Sequence, residues 1–129
     1  LDAGLDVHVL RDPTRGGLAT TLVEIARQSH VNIELDEETI PVDQPVRKTC
    51  ELLGLDPLYL ANEGKLILVL PADQAEEALR SMHSTRYGEE AKVIGQVLGS
   101  SRGQVWLKTP FGTTRVLEML AGEMLPRIC

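Results

Sequence analysis

The sequence is short of aromatic residues and of positive charge. Only 3% of its 129 residues are aromatic, which leaves too few rings for the base-stacking platforms that bind single-stranded nucleic acid. The formal net charge is -6, whereas binding to a phosphate backbone depends on Lys and Arg side chains that replace counterions. Nucleic acid is therefore not an expected partner.

Long apolar runs are also missing. No run approaches the roughly 20 residues that span a bilayer. The first residues, LDAGLDVHVLRD, lack the basic-then-apolar order of a signal peptide. We therefore expect a cytoplasmic location and no membrane partner.

Cysteine and histidine are scarce. Two cysteines, Cys50 and Cys129, cannot build a disulfide framework and are interpreted as free thiols. The three histidines, His8, His30 and His83, are far apart, with no Cys or carboxylate at the spacing of metal ligands. No metal site built by protein side chains is predicted.

What remains is the composition of one globular domain, with 43% hydrophobic and 25% charged residues. Apolar periodicity predicts strands at 7–10, 31–35, 65–70, 93–98, 105–108 and 113–117, and helices at 16–28, 42–53 and 73–84. Intermingled helices and strands predict an α+β fold, with a mixed or antiparallel sheet covered by helices. Residues 1–121 are expected to form this domain and 122–129 a loosely held, flexible tail.

Two finer expectations concern the strands. The apolar run Lys65 to Leu70, stopped by Pro71, is typical of a buried central strand. Gly99 to Gly103 has the residue types of a hairpin loop, so it is expected to join the two strands that flank it. Residues 56–64, between a helix and a strand, are expected to be irregular or one short helical turn.

A glycine-rich turn lies between the first strand and the first helix, in the motif DPTRGG. The N-terminus of a helix favours an anion, and Gly16 and Gly17 would let phosphate approach the backbone. Thr14 or Asp12 is expected to cap the helix, and Arg15 to add a charge-assisted hydrogen bond. An ordinary strand-to-helix turn has the same residue types, so composition leaves both interpretations open.

The motif has neither the spacing of a Walker loop nor a dinucleotide fingerprint. DPTRGG followed by LATTLVEIA resembles the opening of the second domain in the PurM-like (AIR synthase-related) family. This resemblance implies a two-domain enzyme that uses ATP to phosphorylate an oxygen of its substrate. It also implies that ATP and Mg²⁺ are bound mainly by the first domain, which is missing from this chain.

The last four residues, Pro126 to Cys129, resemble the PRIC ending of the HypE family within that superfamily. The resemblance implies that Cys129 receives a carbamoyl group, which ATP-dependent dehydration converts to a thiocyanate for the cyanide ligands of the NiFe hydrogenase iron. A terminal cysteine without this resemblance is usually an incidental exposed thiol. A carrier thiol nevertheless gains reach from a few unstructured residues.

Glu63, in the segment ANEGK, is the second candidate catalytic residue. The resemblance carries the family's catalytic glutamate onto this position, where a carboxylate could remove the amide protons during dehydration. The residues themselves also fit a plain polar turn before a strand. Lys65 is not assigned a role.

The resemblance further implies the carbamoyltransferase HypF and the HypC–HypD complex as partners, and a homodimer formed through the first domain. The isolated domain is expected to be inactive as an ATPase. Two alternatives remain open: a binding or scaffolding module, and the second domain of another PurM-like ATP-dependent enzyme such as a selenophosphate synthetase.

Overall fold

The computed structural model describes residues 4–100 and 102–121. Six strands and three helices follow one another as β1 (Val9–Arg11), α1 (Gly17–Ser29), β2 (Val31–Asp36), α2 (Gln44–Leu53), β3 (Ile67–Val69), α3 (Ala75–His83), β4 (Gly95–Ser100), β5 (Val105–Lys108) and β6 (Thr114–Leu117). Short 3-10 helices occupy Pro57–Tyr59 and Ala72–Gln74. The predicted α+β class is confirmed.

The strands form two sheets. The larger has four strands in the order β4-β2-β5-β6. In it, β2 runs antiparallel to β4 and parallel to β5, while β5 and β6 are antiparallel. The smaller sheet is the antiparallel pair of β1 and β3. The larger sheet is therefore mixed, as predicted.

The predicted hairpin between β4 and β5 is wrong, because β2 lies between them. Ile33, in β2, pairs with Val97 on one side and with Val105 on the other. The register of β2 against both strands places Ile33 and Leu35 on the face that packs in the core. Gly103, instead of closing a tight turn, lies against the end of α1, where an added Cβ would be 2.7 Å from the Cα of Arg27.

The predicted central strand at 65–70 is also wrong. Only three residues form β3, and within the described residues it pairs with β1 alone. Ile67 is buried, but Leu66 is 58% exposed. A two-stranded sheet has one face toward the core and one face open, so an apolar run in it does not require burial on both sides.

The core lies between α1 and the four-stranded sheet. Apolar residues of α1 recur every three or four positions, so they share one face of the helix. The residues that bury this interface are Ala19, Leu22, Val23 and Ala26 from α1, and Ile33, Leu35, Val105, Leu107 and Leu117 from the strands. Within the described residues no helix is long and apolar enough to cross a membrane.

The second helix ends as predicted, at Gly54 in the left-handed conformation, whose N–H donates to carbonyls of the last turn. Cys50 is buried in this helix and is a free thiol, as predicted. Cys129 lies outside the described residues.

Candidate functional site

The glycine-rich turn consists of two successive left-handed residues, Gly16 with φ 71° and Gly17 with φ 66°. Residues with a Cβ disfavour this conformation by roughly 1–2 kcal/mol each. A Cβ on Gly16 would also lie 2.4 Å from the Oγ1 atom of Thr20. Glycine is thus required here both by backbone geometry and by space.

The expected side-chain cap is wrong. Gly16 itself occupies the N-cap position of α1, and no side chain accepts a hydrogen bond there. Thr14 and Asp12 precede the two left-handed residues, which place the start of the helix beyond the usual reach of a cap. The N–H groups of the first helical turn therefore keep the positive end of the helix dipole available to an anion.

Thr20 adds a polar group that sequence analysis missed. Its Oγ1 atom is buried and, within the described residues, has no hydrogen-bond partner. The neighbouring Thr21, by contrast, donates from Oγ1 to the carbonyl oxygen of Gly17 at 2.9 Å. The sequence signal that could have pointed to Thr20 is a threonine one helical turn after a glycine pair.

The segment that precedes Glu63 packs directly on the glycine-rich turn. The backbone N–H of Asn62 donates to the carbonyl oxygen of Pro13 at 3.1 Å. A Cβ on Gly17 would lie 2.5 Å from the carbonyl oxygens of both Leu58 and Leu60. Two regions far apart in the sequence are thus brought together, and the exposed Glu63 follows Asn62 immediately.

Side chains hold this segment in shape. Asp56 accepts a hydrogen bond from the N–H of Leu58 at 3.0 Å and one from Nη1 of Arg115 at 2.8 Å. The side-chain amide of Asn62 donates to the carbonyl oxygen of Leu60 at 2.9 Å. Tyr59 donates to the carbonyl oxygen of Glu118 at 2.9 Å. No periodicity or motif in the sequence indicated these contacts.

The remaining predicted site residues take part in none of these hydrogen bonds. Asp12 and Arg15 are exposed and Thr14 is half-buried at the turn. Cys129 and the predicted tail 122–129 lie outside the described residues.

The histidines serve local structure. His8 contacts the carboxylate of Asp6 at 3.2 Å, His83 contacts the carbonyl oxygen of Ala91 at 2.8 Å, and His30 ends α1 in the left-handed conformation. In the ranges 4–100 and 102–121, no three His, Cys, Asp or Glu side chains are grouped as metal ligands.

Comparison with known proteins identifies the family of this chain. Residues 1–108 match the family described as AIR synthase related protein, C-terminal domain. The chain belongs to this family. It is 54% identical over 124 residues to the carbamoyl dehydratase HypE of Azotobacter vinelandii, covering 96% of this chain and 36% of that protein. It is 44% identical over 123 residues to the carbamoyl dehydratase HypE of Escherichia coli K12, covering 95% and 36%.

Solved structures give the same result. A crystal structure of the hydrogenase maturation protein HypE in complex with ATP superposes with a TM-score of 0.91 at 52% identity, covering 100% of this chain and 39% of that one. A HypE-HypF complex superposes with a TM-score of 0.83 at 46% identity, covering 88% and 37%. The resemblance to HypE and the PurM C-terminal fold are confirmed. The chain spans about 36% of the length of the two curated relatives.

Proposed function

We propose that this domain is the second domain of a HypE-type carbamoyl dehydratase, which uses ATP to convert a carbamoyl group on Cys129 into a thiocyanate. One hydrogen bond carries the proposal, from the N–H of Asn62 to the carbonyl oxygen of Pro13. It joins the segment of the candidate base Glu63 to the candidate phosphate turn. The relatives named carbamoyl dehydratase support the same reaction.

The glycine-rich turn fits a phosphate group. Its helix has no side-chain cap, and the Thr20 hydroxyl has no partner among the described residues. The space beside the Cα atoms of Gly16 and Gly17 is filled by Thr20 and by the backbone of the 58–60 segment. We assign the phosphate contacts to the backbone N–H groups at Gly16 and Gly17 and to the side chains of Thr14 and Arg15. The carboxylate of Asp12 repels a phosphate and would contribute to the site only through a cation such as Mg²⁺. A HypE structure with ATP supports the nucleotide. Mg²⁺ would be held mainly by carboxylates of the preceding domain.

The chemistry needs a better leaving group and a base. ATP supplies the phosphoryl group that makes the carbamoyl oxygen a good leaving group. Two protons must leave the carbamoyl nitrogen, one as its oxygen is phosphorylated and one as the C–O bond breaks and the S–C≡N group forms, and we assign their removal to Glu63, which is exposed and directly follows Asn62. The carbamoyl oxygen leaves with the phosphate, so the products balance as thiocyanate, ADP, hydrogen phosphate and one proton released to water.

Cys129 is the carrier in this reaction, and a thiol that must stay reduced suits the cytoplasm. The HypE-HypF structure supports the carbamoyltransferase HypF as the partner that loads it. We further propose the HypC–HypD complex as the acceptor of cyanide, and a homodimer formed through the preceding domain.

The test uses the full-length protein, co-expressed with a carbamoyltransferase supplied with carbamoyl phosphate. Intact mass should rise by one carbamoyl group, located at Cys129, and fall by one water when ATP is added. Cys129→Ala should gain nothing. Glu63→Gln should be loaded normally but dehydrate at least ~100-fold more slowly, the usual effect of losing a general base.

Glu76→Gln is the matched control, because Glu76 is exposed on α3, away from the turn. It should dehydrate at the wild-type rate. Normal dehydration by Glu63→Gln would remove Glu63 from the mechanism. A wild-type protein that is never modified at Cys129 would refute the carrier role and favour a scaffolding module.

A further inference from the structure

Tyr59 connects the 3-10 helix before Glu63 with the strand that leads toward the C-terminus. Its hydroxyl donates to the carbonyl oxygen of Glu118 at 2.9 Å and accepts from the N–H of Glu118 at 3.2 Å. Glu118 directly follows β6, whose pairing with β5 ends at Leu117 and Val105. One phenol therefore takes both backbone groups with which Glu118 could otherwise bind a neighbouring strand or water.

A second contact ties the same two elements. Arg115, within β6, donates from Nη1 to Oδ2 of Asp56 at 2.8 Å, and the other oxygen of Asp56 accepts from the N–H of Leu58. The strand is thus held against the 3-10 helix at two points. Of the two, the contact of Tyr59 is nearer to the C-terminus and sets where the chain leaves the sheet.

We propose that Tyr59 is a positioning residue, which ties the end of β6 to the 3-10 helix so that the chain leading to Cys129 departs beside the segment of Glu63. This inference rests on the proposed function. Eleven residues follow Glu118, and an extended chain of that length spans at most about 36–40 Å. Tyr59 and Glu63 are four positions apart in the chain, so their Cα atoms are at most about 13–14 Å apart. The Tyr59 side chain and its hydrogen bond add less than about 10 Å to the path between Glu118 and Glu63, so eleven residues are long enough to bridge it.

Reach alone does not set the rate, because a chain of this length has a typical end-to-end distance of only about 18 Å when it is flexible. The direction of its first residues therefore changes how often the sulfur is placed near the base. Without the phenol, Glu118 is free to continue along β5 or to turn toward water, and fewer arrangements are productive. Loss of the two hydrogen bonds is expected to slow dehydration about tenfold.

The experiment follows a single turnover of full-length protein that carries a carbamoyl group on Cys129, over a range of ATP concentrations. Tyr59→Phe should lower the rate at saturating ATP about tenfold. The ATP concentration for half-maximal rate should stay unchanged, because the phosphate turn is intact. Tyr87→Phe is the matched control, since Tyr87 is 89% exposed and its hydroxyl makes no hydrogen bond within the described residues. Glu118→Ala is the second control, because Tyr59 contacts only the backbone of Glu118. Both controls should react at the wild-type rate.

An equal rate in Tyr59→Phe would overturn the proposal, and so would a slower rate that higher ATP restores, because the phenol would then act on nucleotide binding. A second measurement does not depend on activity. Nitroxide labels on Cys129 and on Lys65→Cys, in a full-length background from which Cys50 and every cysteine of the preceding domain have been removed, should give a broader distance distribution with Tyr59→Phe than without it.

An unchanged distance distribution would refute the tie to Tyr59. Absence of dehydration in the wild-type protein, with a distribution that does broaden, would refute the proposed function while leaving the positioning role intact. The two failures are therefore distinguishable.

Discussion

Replacing Gly17 by alanine would test the contact on which the candidate site depends. Gly17 has a φ of 66°, and its added Cβ would lie 2.5 Å from the carbonyl oxygens of Leu58 and Leu60. Both neighbours are backbone atoms, which cannot rotate away as the end of a flexible side chain can. The substitution therefore forces either the glycine-rich turn or the segment before Glu63 to move.

The expected loss of stability has two parts. A left-handed conformation costs a residue with a Cβ about 1–2 kcal/mol, and overpacking of a closely packed site costs about 1–3 kcal/mol. Gly17→Ala should therefore lower the free energy of unfolding by about 2–5 kcal/mol. At about 4 °C per kcal/mol for a domain of this size, the melting temperature should fall by about 8–20 °C.

Gly54→Ala separates the two parts. Gly54 has nearly the same φ, 68°, but nothing lies within 4 Å of its added Cβ. The free energy of unfolding of Gly54→Ala should therefore fall only by the backbone contribution, about 1–2 kcal/mol. Urea unfolding of both variants, followed by circular dichroism, measures the difference. Equal losses in the two variants would show that the 57–62 segment does not press on the glycine-rich turn in solution.

Two further predictions concern the core and the hydroxyl of Thr20. Leu107→Ala, at a fully buried position in β5, should lower the free energy of unfolding by about 2–5 kcal/mol. Its control, Leu52→Ala, at an 85% exposed position, should change the free energy of unfolding by less than about 0.5 kcal/mol. Similar urea midpoints for the two variants would contradict the burial of β5. Thr20→Val should leave stability unchanged or raise it by up to about 1 kcal/mol, because it removes a buried hydroxyl that has no partner among the described residues. Thr21→Val should lower stability by about 1 kcal/mol, because the Thr21 hydroxyl does have a partner; thermal melts that rank the two threonine variants the other way would refute this reasoning.

Most helices and strands were predictable because the residues of each one carry its apolar periodicity or its cap. The helical spacing of Leu18, Leu22 and Ile25 predicted α1, and Gly54 predicted the end of α2. Strand pairing leaves no such local signal. The loop at Gly99 to Gly103 has the composition of a hairpin, and only competition between whole strands makes β2, rather than β4, the neighbour of β5.

The individual residues of the candidate site were predictable from the sequence, but their proximity in the fold was not. The glycine pair and Glu63 were both singled out, the first by turn chemistry and the second by family resemblance. Their proximity depends on the hydrogen bond between Asn62 and Pro13, a backbone contact that any residue type at position 62 other than proline could make. Tyr59 escaped notice because a tyrosine in an irregular segment carries no pattern, and its role depends on a partner in another strand.

The central place of β2 has a consequence for how the protein emerges from the ribosome. Of the four strands of its sheet this one is made first, at Val31–Asp36, and its neighbours β4 and β5 begin only at Gly95 and Val105. At about 5–20 residues per second, roughly 3–14 seconds of translation separate the end of β2 from the start of its two neighbours. During that interval β2 has no strand beside it, so the nascent chain presents unpaired backbone N–H and C=O groups with which other nascent chains can pair.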